Sequence, residues 1–173
     1  MRFIQLTGLS GAGKTTIANA VQERLRQQGY QTEVIDGDVY RQTLCKDLGF
    51  SREDRYENIR RLSTVAAEKT KAGVITLLSV IHPYEEMRKW AADNYGAHTI
   101  WIHCPLETLL DRDTKGLYRR ALLPDGHPEK LHNLTGVNDP YEVPVSPQLI
   151  IHTHEETIHD AVERLSSYIL ASL

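Results

Sequence analysis

Two cysteines in 173 residues, Cys45 and Cys104, leave little sulfur chemistry to consider. Their separation fits neither a paired-thiol redox motif nor a metal-binding knuckle, and so sparse a set suits a reducing compartment. A cytoplasmic location is therefore expected. Charge of one sign is also missing in excess: 20 Lys+Arg stand against 23 Asp+Glu. Without a basic surplus there is nothing to grip a nucleic-acid backbone, and there is no acidic tail, so the expected partner is a small molecule. Long apolar runs are absent as well. The longest, GVITLLSVI at 73–81, falls far short of the ~20 residues that cross a bilayer. The opening MRFIQLTG runs directly into a strand pattern, leaving no charged region and apolar stretch of a secretory leader. No membrane association is expected. Nor is there an internal repeat, a low-complexity tract or a linker, so residues 1–173 are expected to form one domain, within the usual range of roughly 100–200 residues.

What is present alternates between two periods. RFIQLT (2–7), QTEVID (31–36), VITLLSVI (74–81), HTIWIHC (98–104) and QLIIHT (148–153) read as five strands. Between them, 15–29 carries Ile17, Ala18, Val21 and Leu25 at helical spacing, with Gly29 as its stop. A second helix starts at the capping-box-like Ser51-Arg52-Glu53-Asp54 and runs to about Ala72. Shorter helical patterns cover 85–94 and 106–113, and a last one covers about 155–170. VITLLSVI is apolar on every side, as a strand covered by helices on both faces must be. The expected fold is α/β: three layers around a five-stranded parallel sheet, of the P-loop NTPase type. Residues 122–147, punctuated by glycine and proline without periodicity, are expected to form a long lid loop.

The stretch GLSGAGKT, residues 8–15, lies between the first strand and the first helix and matches G-x-x-x-x-G-K-[ST]. Backbone amides of Gly8, Leu9, Ser10, Gly11, Ala12 and Gly13 are expected to converge on the phosphates of ATP, helped by the positive end of the helix dipole. Lys14 should reach the β- and γ-phosphates, Thr15 should offer its hydroxyl to Mg²⁺, and Thr16 should add a hydrogen bond. No N-K-x-D guanine signature is present, which favours a small kinase over a switch GTPase. Asp36 and Asp38 follow the second strand. In a doubly wound sheet, the carboxyl ends of strands share one crevice, so both should face the phosphate loop, where one could accept the proton of an acceptor hydroxyl.

DGDVYRQTL (36–44), LGFSREDRYENIRR (48–61), RDTKGLYRRA (112–121) and LTGVNDPYEVPVSPQL (134–149) together resemble the adenosine 5′-phosphosulfate (APS) kinases over roughly residues 3–153. The resemblance implies transfer of the ATP γ-phosphoryl to the 3′-hydroxyl of APS in sulfate activation, and a homodimer as one assembly. By position it makes Asp38 the base, alongside Lys14 and Lys115 as catalytic cations. Arg41, Arg55 and Asn58 would hold the sulfonucleotide, Phe50 would line its pocket, and Arg112 would pack on the ATP adenine. Asp36, Ile81, His82, Lys115 and Leu134 complete the implied acceptor site.

Three departures stand out. The family's I-S-P-[YH]-R is Ile81-His82-Pro83-Tyr84-Glu85 here, its F-T-G is Leu134-Thr135-Gly136, and the segment from Ala121 to Leu134 is longer. His82 is open to three readings: a donor to a substrate phosphate, a replacement acid/base group, or a structural histidine. His127, His132, His152 and His154 show no ligand geometry in the sequence, so no zinc site is expected. Two alternatives follow from the departures: a kinase of this type acting on another modified nucleotide, or a catalytically silent ATP-binding module.

Overall fold

The computed structural model describes residues 2–173. Five parallel strands form one sheet in the order β2-β3-β1-β4-β5. They are β1 (Phe3–Thr7), β2 (Thr32–Asp36), β3 (Ile75–Ser79), β4 (His98–His103) and β5 (Leu149–His152). The central strands β1 and β3 are buried at every position, whereas β5 at the edge is mostly half-buried. Helices α1 (Lys14–Gln27) and α7 (Ile158–Ala171) cover one face, packing Val21, Leu25, Leu165 and Ile169 on Ile4, Leu6, Leu77 and Ile100. Helices α3 (Arg52–Lys71) and α4 (Glu85–Tyr95) cover the other, where Ile59, Leu62 and Ala91 meet Phe3, Ile35 and Leu78. Neighbours such as Phe3 and Ile4, or Leu77 and Leu78, thus serve opposite layers, the period-2 rule acting on a strand buried on both faces.

Local chemistry sets the helix ends. Ser51 Oγ accepts the Asp54 amide at 3.1 Å, capping α3 as its sequence suggests. At the end of α1, the Tyr30 amide bonds Leu25 O at 3.0 Å and the Gly29 amide bonds Arg26 O at 2.9 Å, closing a Schellman turn on Gly29. The final helix begins at Ile158 rather than near Glu155, because Thr157 accepts the Asp160 amide and stops the helix from extending backwards.

Two short helices have no counterpart in the sequence reading. α2 (Gly37–Tyr40) occupies what reads as an acidic turn, because Asp36 Oδ1 accepts the amides of Asp38 (2.8 Å) and Val39 (3.3 Å). α6 (Leu117–Ala121) follows α5 (Leu106–Arg112) and is capped by Asp113, whose two oxygens accept the Tyr118 and Arg119 amides. Both are too short for periodicity to reveal them; a side-chain cap makes each one.

Residues 122–147 are irregular, with one isolated bridge between Thr135 and Asp139 among the described residues. The segment is nonetheless fastened to the strand ends. Arg88 donates to Glu142 O at 2.6 Å, Glu142 donates its amide to Pro83 O at 2.9 Å, and Tyr141 meets Thr7 Oγ1 at 2.9 Å. Thr7 gives its own proton to the carbonyls of Ile81 and His82, so the Tyr141 hydroxyl is the donor in that contact.

Candidate active site

The phosphate loop leaves β1 at Gly8, where an added Cβ would lie 2.3 Å from the Ile102 carbonyl oxygen, so only glycine fits. Gly13 caps α1 at φ 99°, a left-handed conformation that β-carbons resist. Within this ring, Lys14 is buried and its Nζ donates to Gly8 O (2.9 Å) and Leu9 O (2.7 Å). Burial, then the charge of Lys115, lowers its pKa to about 8, while Asp38 and Asp36 pull the other way. Next to it, Thr15 Oγ1 donates to Asp36 Oδ2 at 2.6 Å and lies 3.1 Å from Ser79 Oγ. Ser79 was not singled out from sequence. Its signal is faint but physical: it is a hydroxyl ending an apolar strand, in register with Asp36 across the β2–β3 pair.

A cavity of about 290 Å³ opens over this loop, with Lys14, Thr15, Thr16, Asp36, Asp38 and Lys115 on its walls. A narrower hollow of about 80 Å³ adjoins it, lined by Arg41, Phe50, Arg55, Asn58 and His82, with Asp38, Val80 and Ile81 common to both. Asp38 therefore stands where the two spaces meet, on the same side of the sheet as Lys14. Its Oδ2 accepts from Lys115 Nζ at 3.0 Å; both side chains are exposed, so this pair is weak and easily exchanged. A third space of about 140 Å³, flanking the loop, is bounded by Gly13, Thr16, Arg112, Thr153 and Thr157. Thr153 and Thr157, missed in the sequence, come from the β5–α7 connection.

The guanidinium groups of the second hollow are already oriented. Arg55, only 7% exposed, reaches Phe50 O (3.0 Å), Asn133 O (2.8 Å) and Asp139 Oδ2 (2.7 Å). Arg41 lies over the Phe50 ring at 4.3 Å and donates to Gly49 O at 2.9 Å. Asn58 Oδ1 is buried with no partner in the protein, the condition expected of an acceptor that awaits a ligand's N–H or O–H.

Two of the expected site residues behave differently. Leu134 does not line the hollow; it is 7% exposed and packs in the α1/α7 core, its amide held by Asn138 Oδ1 at 2.7 Å. His82 lines the hollow but is not a phosphate donor. Gln5 gives its amide protons to Arg88 O (2.9 Å) and Thr99 Oγ1 (2.8 Å), so its Oε1 must face His82 Nε2 at 2.9 Å and accept from it. Burial, with Arg88 nearby, drops the imidazole pKa to about 3, which leaves it neutral and Nδ1 a lone pair. The departing acid, Glu85, is half-buried and is held by Arg88 at 2.8 Å. Elsewhere, His152 and His154 meet a third imidazole, His103, which the sequence gave no reason to group with them.

A phosphate-gripping loop that shares one carboxylate with a pocket of guanidinium and aromatic groups belongs to a P-loop kinase rather than to a switch or motor NTPase. The family model described as Adenylylsulphate kinase matches residues 2–152. The chain belongs to that family. The adenylyl-sulfate kinase of Halothermothrix orenii is 43% identical over 167 residues, covering 96% of this chain and 88% of the relative. That of Rippkaea orientalis is 44% identical over 163 residues, covering 94% and 87%. Among solved structures, the Mycobacterium tuberculosis APS kinase CysC in complex with AMPPNP and APS superposes with a TM-score of 0.87 at 34% identity, covering 97% of this chain and 98% of that one.

Proposed function

We propose that this chain transfers the γ-phosphoryl group of ATP to the 3′-hydroxyl of adenosine 5′-phosphosulfate. The observation that carries the reading is Asp38 at the junction of the phosphate cavity and the Arg41–Phe50–Arg55 hollow. ATP would lie with its phosphates on Gly8–Thr16 and its base toward Arg112, while the acceptor occupies the hollow. Asp38 takes the proton of the attacking hydroxyl as its oxygen bonds the γ-phosphorus and the bond from that phosphorus to the bridging oxygen breaks, ADP leaving; Lys14 and Lys115 spread the charge developing on the transferred group. An arriving phosphate competes for Lys115 and so releases Asp38 from its ion pair. Thr15 Oγ1, the Asp36 carboxylate and Ser79 Oγ form an all-oxygen set at the loop, which fits a hard ion such as Mg²⁺. When bound there, Mg²⁺ supplies further neutralisation of the phosphates.

The alternative of another modified nucleotide loses most of its motivation. Leu134 is engaged in the core, the half-buried Glu85 is paired with Arg88, and His82 is a neutral packing group whose Nε2 is committed to Gln5. The silent-module alternative and the substrate question yield to one measurement: ADP release with a panel of nucleotide acceptors, the new phosphate then located by NMR. APS is expected to be turned over fastest, with phosphate on its 3′-oxygen. Equal rates with unsulfated nucleotides would transfer the assignment to the broader kinase reading, and no acceptor-dependent release would leave only nucleotide binding. Residues 1–173 would act as one catalytic unit, homodimeric, in the cytoplasm, where Cys45 and Cys104 stay free as found here. No helix among the described residues is long and apolar enough to cross a membrane.

Lys14 gives the reading a pH signature. With its pKa at about 8 against an ordinary 10.5, the unfolded chain holds more protons between those values, so stability rises with pH across that window. A polyphosphate beside the ammonium favours the charged form and raises its pKa again. ATP binding at about pH 9 is therefore expected to take up protons, read by calorimetry in buffers of differing ionisation enthalpy. Lys14→Met should abolish the uptake; the same uptake in the variant would detach it from Lys14.

A further inference from the structure

β4 and β5 end side by side at the edge of the sheet, away from the acceptor hollow. In their parallel register His103 stands beside His152, so the two side chains leave the sheet on one face, and His154, two residues further along, joins them. The ring centroids lie 5.1 Å (His103–His152), 5.5 Å (His103–His154) and 5.9 Å (His152–His154) apart. One ring nitrogen from each falls within 4.8 Å of the other two, and the Nδ1 atoms of His103 and His152 are 3.1 Å apart.

The surroundings of His154 add to this placement. Its Nε2 faces Glu155 Oε1 at 3.1 Å, while its Nδ1 is buried with no partner in the protein. A metal-ligating histidine characteristically has a carboxylate beside its remote nitrogen, and Glu155 stands at that distance without yet making a hydrogen bond.

We propose that His103, His152 and His154 form a binding site for an imidazole-preferring divalent transition metal of the Zn²⁺ class. Tetrahedral Zn²⁺ with bonds of about 2.0–2.1 Å sets its nitrogens roughly 3.3 Å apart, close to the 3.1 Å of the hydrogen bond between the Nδ1 atoms of His103 and His152, whose shared proton the ion would displace. Three nitrogens leave one position for water. Glu156 does not fill it, since its carboxylate is held by the His152 amide at 2.7 Å and by Arg164 at 2.7 and 2.8 Å. Softness separates this site from the oxygen set at Thr15, which suits Mg²⁺. Between the two histidines of the β5 end sits Thr153, whose Oγ1 donates to Ala12 O of the phosphate loop at 3.0 Å. An ion fixing His152 and His154 thus fixes the residue that supports the loop from behind.

The test is titration of the nucleotide-free, full-length protein with Zn²⁺ in competition with a chromophoric chelator, repeated with Co²⁺ for its visible spectrum. Wild type should retain one equivalent of Zn²⁺, bind Co²⁺ with the intense bands of a tetrahedral site, and melt at a higher temperature when loaded. Removing all three ligands (His103→Ala, His152→Ala, His154→Ala) should weaken Zn²⁺ binding by about 100-fold or more, with ADP release at saturating Mg²⁺ and ATP as the check on folding. If the triple variant does not fold, the partly exposed His154→Gln carries the same test, with binding weakened about 10-fold or more. Zn²⁺ held equally tightly by wild type and variant, no retained equivalent in wild type, or only the pale spectrum of six-coordinate Co²⁺ would each overturn the proposal.

Discussion

Asp38→Ala is expected to lower kcat by about 10²–10⁴-fold, the range for loss of a positioned general base, while the affinity for ATP changes little. The asymmetry follows from position. Asp38 contributes no hydrogen bond to the phosphate loop, and its one ion-pair partner is the exposed Lys115. Removing it deprives the acceptor hydroxyl of its proton acceptor and leaves the hydrogen bonds of Lys14 to Gly8 O and Leu9 O in place, although Lys14 loses one of the two carboxylates that hold its pKa up. Asp38→Asn separates shape from charge: the amide keeps the volume but cannot take a proton, so it should be nearly as slow as alanine. Steady-state kinetics with ATP and APS, alongside direct ATP binding, checks both. Wild-type turnover in either variant would remove Asp38 from the chemistry, and a parallel collapse of ATP binding would reassign it to the nucleotide.

Arg88→Met is the substitution expected to cost most in stability, about 3–5 kcal/mol, the usual range when one partner of a buried charge network is deleted. Arg88 is 1% exposed although it is a full guanidinium. It donates to His82 O (2.6 Å) and Glu142 O (2.6 Å) and pairs with Glu85 (2.8 Å). Methionine fills much of the volume but leaves the His82 carbonyl with Thr7 alone and takes the guanidinium from the Glu142 carbonyl and the half-buried Glu85 carboxylate. Urea unfolding monitored at equilibrium should show the loss in the midpoint with an unchanged slope. A change below about 1 kcal/mol would mean that water or a neighbour replaces the guanidinium. Because Arg88 joins the end of β3 to the 122–147 segment, the variant should also raise KM for the acceptor more than for ATP.

How much of this was legible beforehand divides along physical lines. The five strands and the long helices were, since their burial imposes a period that composition cannot hide. GLSGAGKT was, since a glycine loop between strand and helix has few other uses. α2 and α6 were not, because each depends on one aspartate turning back on a backbone amide, Asp36 and Asp113, and an aspartate in a turn looks the same in sequence either way. Leu134 occupies the position of the family's F-T-G aromatic and so resembles an altered substrate contact in sequence, yet the turn closed by Asn138 rotates it into the core. His82 kept three readings open until Gln5, a residue 77 positions away, settled its tautomer. The imidazole cluster shows the same limit: His103 and His152 are 49 residues apart in sequence and adjacent only through strand register.

Asp36 spends its two oxygens on different halves of the enzyme. Oδ2 takes the Thr15 hydroxyl beside the triphosphate, and Oδ1 starts the short helix that presents Asp38 and leads to Arg41. The seat of the triphosphate and the helix that presents the base therefore hang from one carboxylate plane, and a substitution at Asp36 strikes both at once.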